Sequence, residues 1–126
     1  MPSQATFNAP LGLAFDAAGT LYSSEIGNRI VRKLSGGFVS SFAGTCTQTA
    51  FQLPWGLTTD SSGYVYVADD IANRVFKLDS GGNQTLFAGN GAGGNTGDGS
   101  LANAAGVTLT NPMSIVIDSA GNTYIG

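Results

Sequence analysis

Apolar residues in this chain come in runs of four or five, each closed by turn-forming residues, and the runs recur in a fixed order. Runs that short, bounded by Gly, Asp and Asn, predict buried strands rather than helices. In the first unit the run 12–15 leads into Asp16-Ala17-Ala18-Gly19 and then a second run over 20–23. Asp at the first turn position can accept from N–H groups just ahead of it, and Gly three residues on tolerates a positive φ. Residues 16–19 therefore predict a tight hairpin turn. Residues 60–63 and 118–121 repeat the same chemistry, which assigns Asp16, Asp60 and Asp118 to turn shaping.

Two units continue further. A third run, 30–34 or 75–78, mixes β-branched and aromatic residues with Arg32, Lys33 and Lys77, as expected of a strand nearer the outside of a sheet, where basic stems cover apolar surface. Gly36-Gly37 or Gly81-Gly82 then predicts another turn, and a fourth run ends on Phe42-Ala43-Gly44 or Phe87-Ala88-Gly89. Each complete unit reads as a four-stranded up-and-down sheet. Asp16 and Asp60 lie 44 residues apart and Asp60 and Asp118 lie 58 apart, so an extra segment separates the second and third units. An apolar anchor, Phe7, Phe51 or Leu109, sits three residues before each proline that opens a unit. Self-similarity at this period marks a unit that must stack on its copies to bury its faces. The expected plan is one all-β body over 1–126. Blade one covers 7–44, blade two 45–89, an insertion loop 90–108, and the first half of a third blade 109–126.

Three copies of one phrase carry a family resemblance. They are Pro10-Leu11-Gly12-Leu13-Ala14-Phe15-Asp16, Pro54-Trp55-Gly56-Leu57-Thr58-Thr59-Asp60 and Pro112-Met113-Ser114-Ile115-Val116-Ile117-Asp118, each continuing through Gly to Tyr22, Tyr66 or Tyr124. In two copies an acidic residue and Asn-Arg follow: Glu25 with Asn28-Arg29, and Asp69-Asp70 with Asn73-Arg74. The phrase resembles the NHL repeat of six-bladed β-propellers, over residues 7–126. Ser114 in place of glycine and Glu25 in place of aspartate depart from its pattern. The resemblance implies a partial β-propeller of NHL type, two four-stranded antiparallel blades plus a half blade. Six such blades need more than twice this length. The remaining blades are expected from a longer chain, with a C2 homodimer of four full and two half blades as the alternative.

Composition narrows the function. Charged residues make up 10% of the chain, against roughly 25% for an average soluble protein, a balance that points to an extracellular or periplasmic setting. The net charge is −3, and the one basic cluster is Arg29, Arg32 and Lys33. Phosphate binding depends on clustered positive charge, so no nucleic-acid partner is expected. No apolar run reaches membrane-spanning length, and no membrane insertion is expected. Cys46 is the single cysteine, read as a small residue between blades. There is no histidine, the side chain on which, by resemblance, lyase and amidating propellers rely for metal binding or proton transfer.

Candidate chemistry lies at three places. Glu25, Asp69 and Asp70 stand at strand ends, where lactonase-like and strictosidine-synthase-like propellers are implied to use oxygen ligands around a central channel. The preferred reading pairs Glu25 with Arg29 and Asp69 with Arg74 as structural loop bridges. Leu11, Trp55 and Met113 share one repeat position and are weighed as an apolar rim of the channel mouth against packing between blades. A Trp55 ring facing the channel would stack on a sugar or an aromatic group. In the insertion loop, Asn95 and Asp98 are candidate recognition residues, Ala102 to Ala105 a short helical turn, and one carboxylate makes a poor Ca2+ site. These readings favour a non-enzymatic module that binds or scaffolds a protein, peptide or glycan, without metal or cofactor. The alternative is part of a propeller hydrolase or lyase whose catalytic residues lie mostly in other blades.

Overall fold

A computed structural model describes residues 4–45 and 51–126; Cys46 lies outside the described residues. The first four strands are β1 (Pro10–Phe15), β2 (Leu21–Glu25), β3 (Ile30–Ser35) and β4 (Phe38–Ala43). They form one antiparallel sheet in chain order. β5 (Pro54–Thr59), β6 (Val65–Asp69), β7 (Arg74–Leu78) and β8 (Gln84–Ala88) form a second such sheet. β9 (Ile115–Ile117) pairs with β10 (Thr123–Ile125) in a third, two-stranded sheet.

The turn chemistry is uniform. Asp16 Oδ1 accepts the N–H groups of Ala18 and Thr20, and its Oδ2 accepts the Tyr22 hydroxyl. Asp60 does the same with Ser62, Tyr64 and Tyr66, and Asp118 with Ala120, Asn122 and Tyr124. Gly19, Gly63 and Gly121 have φ of 82°, 85° and 87°, the left-handed conformation the turn requires. Asp79 builds a similar turn between β7 and β8, accepting from Gly81 and Asn83. Burial pushes the Asp16 carboxyl up, but the hydrogen bonds from Thr20, Ala18 and Tyr22 together outweigh it and hold the group below its ordinary value.

The sheets stack face to face, as their alternation demands. Tyr22, Val31, Phe42 and Ala43 of the first sheet pack on Leu57, Val65, Val67 and Leu78 of the second, with Phe51 completing the cluster. Tyr66, Ala68, Val75 and Ala88 of the second pack on Ile115 of the third, with Leu109 and Ile125 beside them. Aromatic pairs brace each layer: Tyr22 with Phe42 at 5.0 Å between ring centroids, and Tyr66 with Phe87 at 4.9 Å. β1 lies against β5, and β5 against β9, so the opening strands of the three units neighbour one another.

The insertion differs from expectation in one respect. Residues 101–107 form consecutive turns, with Ala104 N–H on Leu101 and Val107 N–H on Ala104, and no helical turn. The segment is folded back on itself: Thr96 and Thr108 exchange hydrogen bonds, and Gly94 N–H reaches the Thr110 hydroxyl.

Candidate functional site

Strand direction fixes which residues share an end. β1 and β5 begin at Pro10 and Pro54, which pair with Glu25 and Asp69 at the ends of β2 and β6. The aspartate turns lie at the opposite end. Leu11, Trp55, Met113 and the loop acids therefore crowd one end of the stack.

Close approach of the opening strands builds that end. A Cβ at Gly12 would run into the Trp55 carbonyl oxygen, and one at Gly56 would stand 2.6 Å from that of Met113. The buried Ser24 hydroxyl accepts the Gly12 N–H at 2.9 Å and donates to the Trp55 carbonyl at 2.6 Å, tying the two sheets together. Leu11 and Met113 are 45% and 46% exposed, and Trp55 is half-buried. Their main chain makes the junction while their side chains keep apolar surface open.

The acids do not form the expected bridges. Glu25 is fully buried and pairs with Arg32 at 3.2 Å, not with Arg29. It also accepts the Asn28 amide at 2.6 Å and the Asn8 N–H at 3.1 Å. Arg29 has φ 57° in the loop and is exposed. Because Glu25 pairs with Ile30 in register, Arg32 is its diagonal neighbour on the same sheet face. Asp69 pairs with Arg74 through main chain alone. Its carboxylate, 1% exposed, accepts the N–H groups of Gln52 and Leu53, each at 2.8 Å, and of Ala72 at 3.3 Å. The Arg74 guanidinium donates to the Asn90 carbonyl at 2.8 Å. Among the described residues Glu25–Arg32 is the ion pair present. Both acids clamp the segment entering their own sheet, Glu25 through Asn8 and Asp69 through Gln52 and Leu53.

Asp70 differs: its Oδ1 is buried and has no hydrogen-bond partner, although its N–H is held by the Leu53 carbonyl. Asn95 and Asp98 are exposed on the insertion loop. No group of three or more His, Cys, Asp or Glu able to hold a metal occurs among the described residues. A cleft of about 260 Å³ between the second and third units is lined by Thr59, Asp60, Ile117 and Asp118. The oxygens of both aspartates there serve their own turns.

No family model and no curated protein matches the chain. Solved structures do. A protein of unknown function from Bacteroides thetaiotaomicron aligns over 92% of this chain and 32% of its own, with TM-score 0.76 and 24% identity. A gluconolactonase from Xanthomonas campestris aligns over 97% and 36%, with TM-score 0.66 and 19% identity. The virginiamycin B lyase of Staphylococcus aureus aligns over 94% and 34%, with TM-score 0.65 and 14% identity. The fold is a partial β-propeller, and the chain spans about a third of the length of these structures. The expectation of a non-enzymatic module is corrected by this finding, since two of these propellers are named as enzymes.

Proposed function

We propose that these blades, of NHL-type repeat, belong to a propeller hydrolase or lyase that opens a ring-shaped substrate such as a lactone. Most reacting groups lie in blades other than these. The observation that supports this reading is the alignment of nearly the whole chain with propellers named gluconolactonase and virginiamycin B lyase. The local chemistry agrees with the division of labour. Glu25 and Asp69 are occupied by internal partners, and the sequence contains no histidine to carry a proton. Leu11, Trp55 and Met113 provide an apolar surface against which an uncharged ring can lie.

The test is to express the complete polypeptide that carries these blades and offer it gluconolactone and a streptogramin B antibiotic, with and without divalent cations. Ring opening of either supports the proposal. A folded protein that opens neither refutes it.

A further inference from the structure

Two hydroxyls cross-link the inner strands at the first junction, and neither recurs at the second. Thr59 donates to the Phe15 carbonyl at 2.7 Å, and Ser24 donates to the Trp55 carbonyl at 2.6 Å. Register puts Phe15, Thr59 and Ile117 in one repeat position, opposite Leu21, Val65 and Thr123. It puts Ala68 where Ser24 stands, since Val67 pairs with Leu57 as Ser23 pairs with Leu13. Ile117 and Ala68 carry no hydroxyl, so neither of these bonds forms between the second and third units.

The cleft of about 260 Å³ lies where the Thr59-type bond is missing, between the β5–β6 and β9–β10 turns. Asp60 N–H bonds to the Tyr64 carbonyl, so Thr59, one place back, turns its own carbonyl away from β6. Phe15 does the same beside the Asp16–Thr20 bond, and there the Thr59 hydroxyl meets it. At the second junction the corresponding acceptor faces Ile117. Ser61 and Ser119 are exposed at the rim, one from each turn, where the first unit has Ala17.

The other lining groups decide what charge fits. The Asp118 oxygens accept four donors and those of Asp60 three, close to the roughly four a carboxylate can take. They have little capacity left for a cation, and no Lys or Arg lines the cleft to hold an anion. The volume falls below the roughly 300–1,000 Å³ of sites for drug-sized ligands, which suits a single ring.

We propose that this cleft binds a small neutral polyol, a single sugar ring. One of its hydroxyls takes the place of the missing threonine hydroxyl on the Thr59 carbonyl. Ser61 and Ser119 meet neighbouring hydroxyls, and Ile117 packs on the C–H face of the ring. The site lies at the opposite end of the stack from Leu11, Trp55 and Met113 and is independent of the reaction proposed above.

The experiment titrates D-glucose into the 126-residue chain and follows it by NMR, with methylammonium and inorganic phosphate in parallel. Glucose should shift the Ile117 methyl and Ser119 amide signals along a saturable curve, with Kd of about 1–10 mM, and leave the Ala17 and Ala18 amides unmoved. Ile117→Thr supplies the repeat's own hydroxyl to Thr59 and should weaken glucose about tenfold, whereas Ile117→Val, which adds none, should bind as the parent does. Ser119→Ala, on an exposed turn, should weaken it about two- to tenfold. No saturable shift with glucose would overturn the site. Tighter saturation by methylammonium or phosphate would overturn the ligand class. Unchanged affinity in either Ile117→Thr or Ser119→Ala, or an equal loss in Ile117→Val and Ile117→Thr, would overturn the arrangement.

Discussion

Replacing Asp69 by Asn changes one atom and leaves shape almost intact, so it isolates the work of a buried carboxylate. Both Asp69 oxygens accept main-chain N–H groups: Oδ2 takes Gln52, and Oδ1 takes Leu53 and Ala72. An amide offers one acceptor oxygen and a donating NH2 group. In the better orientation the oxygen stays on Leu53 and Ala72, and the NH2 then meets the Gln52 N–H, donor against donor. One hydrogen bond to a charged group is lost, worth about 1.5–3 kcal/mol, and a buried N–H is left unsatisfied. The expected cost is about 2–4 kcal/mol, a large share of the 5–15 kcal/mol that typically holds a domain together. Urea unfolding followed by the fluorescence of Trp55, the single tryptophan, reads the change as a shift in midpoint at unchanged slope. Asp98→Asn, on the exposed insertion loop, serves as control and should stay within about 0.5 kcal/mol. A cost below about 0.5 kcal/mol for Asp69→Asn would refute the clamp.

Arg32→Leu strands the buried Glu25 carboxylate and should cost about 3–5 kcal/mol, whereas Arg29→Ala should stay within about 0.5 kcal/mol; the reverse order in thermal unfolding would restore the loop bridge. Gly56→Ala places a Cβ 2.6 Å from the Met113 carbonyl oxygen and should destabilise by about 1–3 kcal/mol, measured by the same unfolding curves. The Tyr66 hydroxyl is pushed up to about 12 by burial and by its hydrogen bond to Asp60. Its stabilising contribution is complete below the ordinary tyrosine value of 10.0 and is lost as pH rises through about 12. Tyr66→Phe should flatten that part of the stability profile and remove one late step from the absorbance titration, leaving that of Tyr22, which burial also pushes up.

The strands and hairpin turns were legible because their signals are local. Asp followed by Gly three residues on fixes a turn wherever it occurs, and Asp16, Asp60 and Asp118 all make the same bonds. The stacking was legible from the repeat, since Leu13 and Leu57 occupy the same place and a lone sheet cannot hide such residues. The acid partners were misread because sequence proximity in a loop was taken for spatial proximity. Hairpin register held the answer: Glu25 opposite Ile30 puts Arg32 on its face, while Asp69 opposite Arg74 puts Phe76 there. With no cation on that diagonal, Asp69 turns to main-chain N–H groups. The helical turn read over Ala102 to Ala105 gives way to bonds that fold the insertion back on itself, such as Asn90 amide to Ala105 carbonyl at 2.6 Å. No local signal separates an enzyme from a binding module here, because Glu25 and Asp69 look the same from sequence whether they brace a loop or face a substrate.

The central claim is that three sheets of one repeat pack successively, each covering the next. Nuclear Overhauser contacts in the 126-residue chain test it most directly. The Tyr22 and Phe42 rings should contact the methyls of Leu57 and Val65, and the Tyr66 ring should contact those of Ile115. Observing both sets confirms successive packing. Intact sheets with neither set of contacts between them would contradict it.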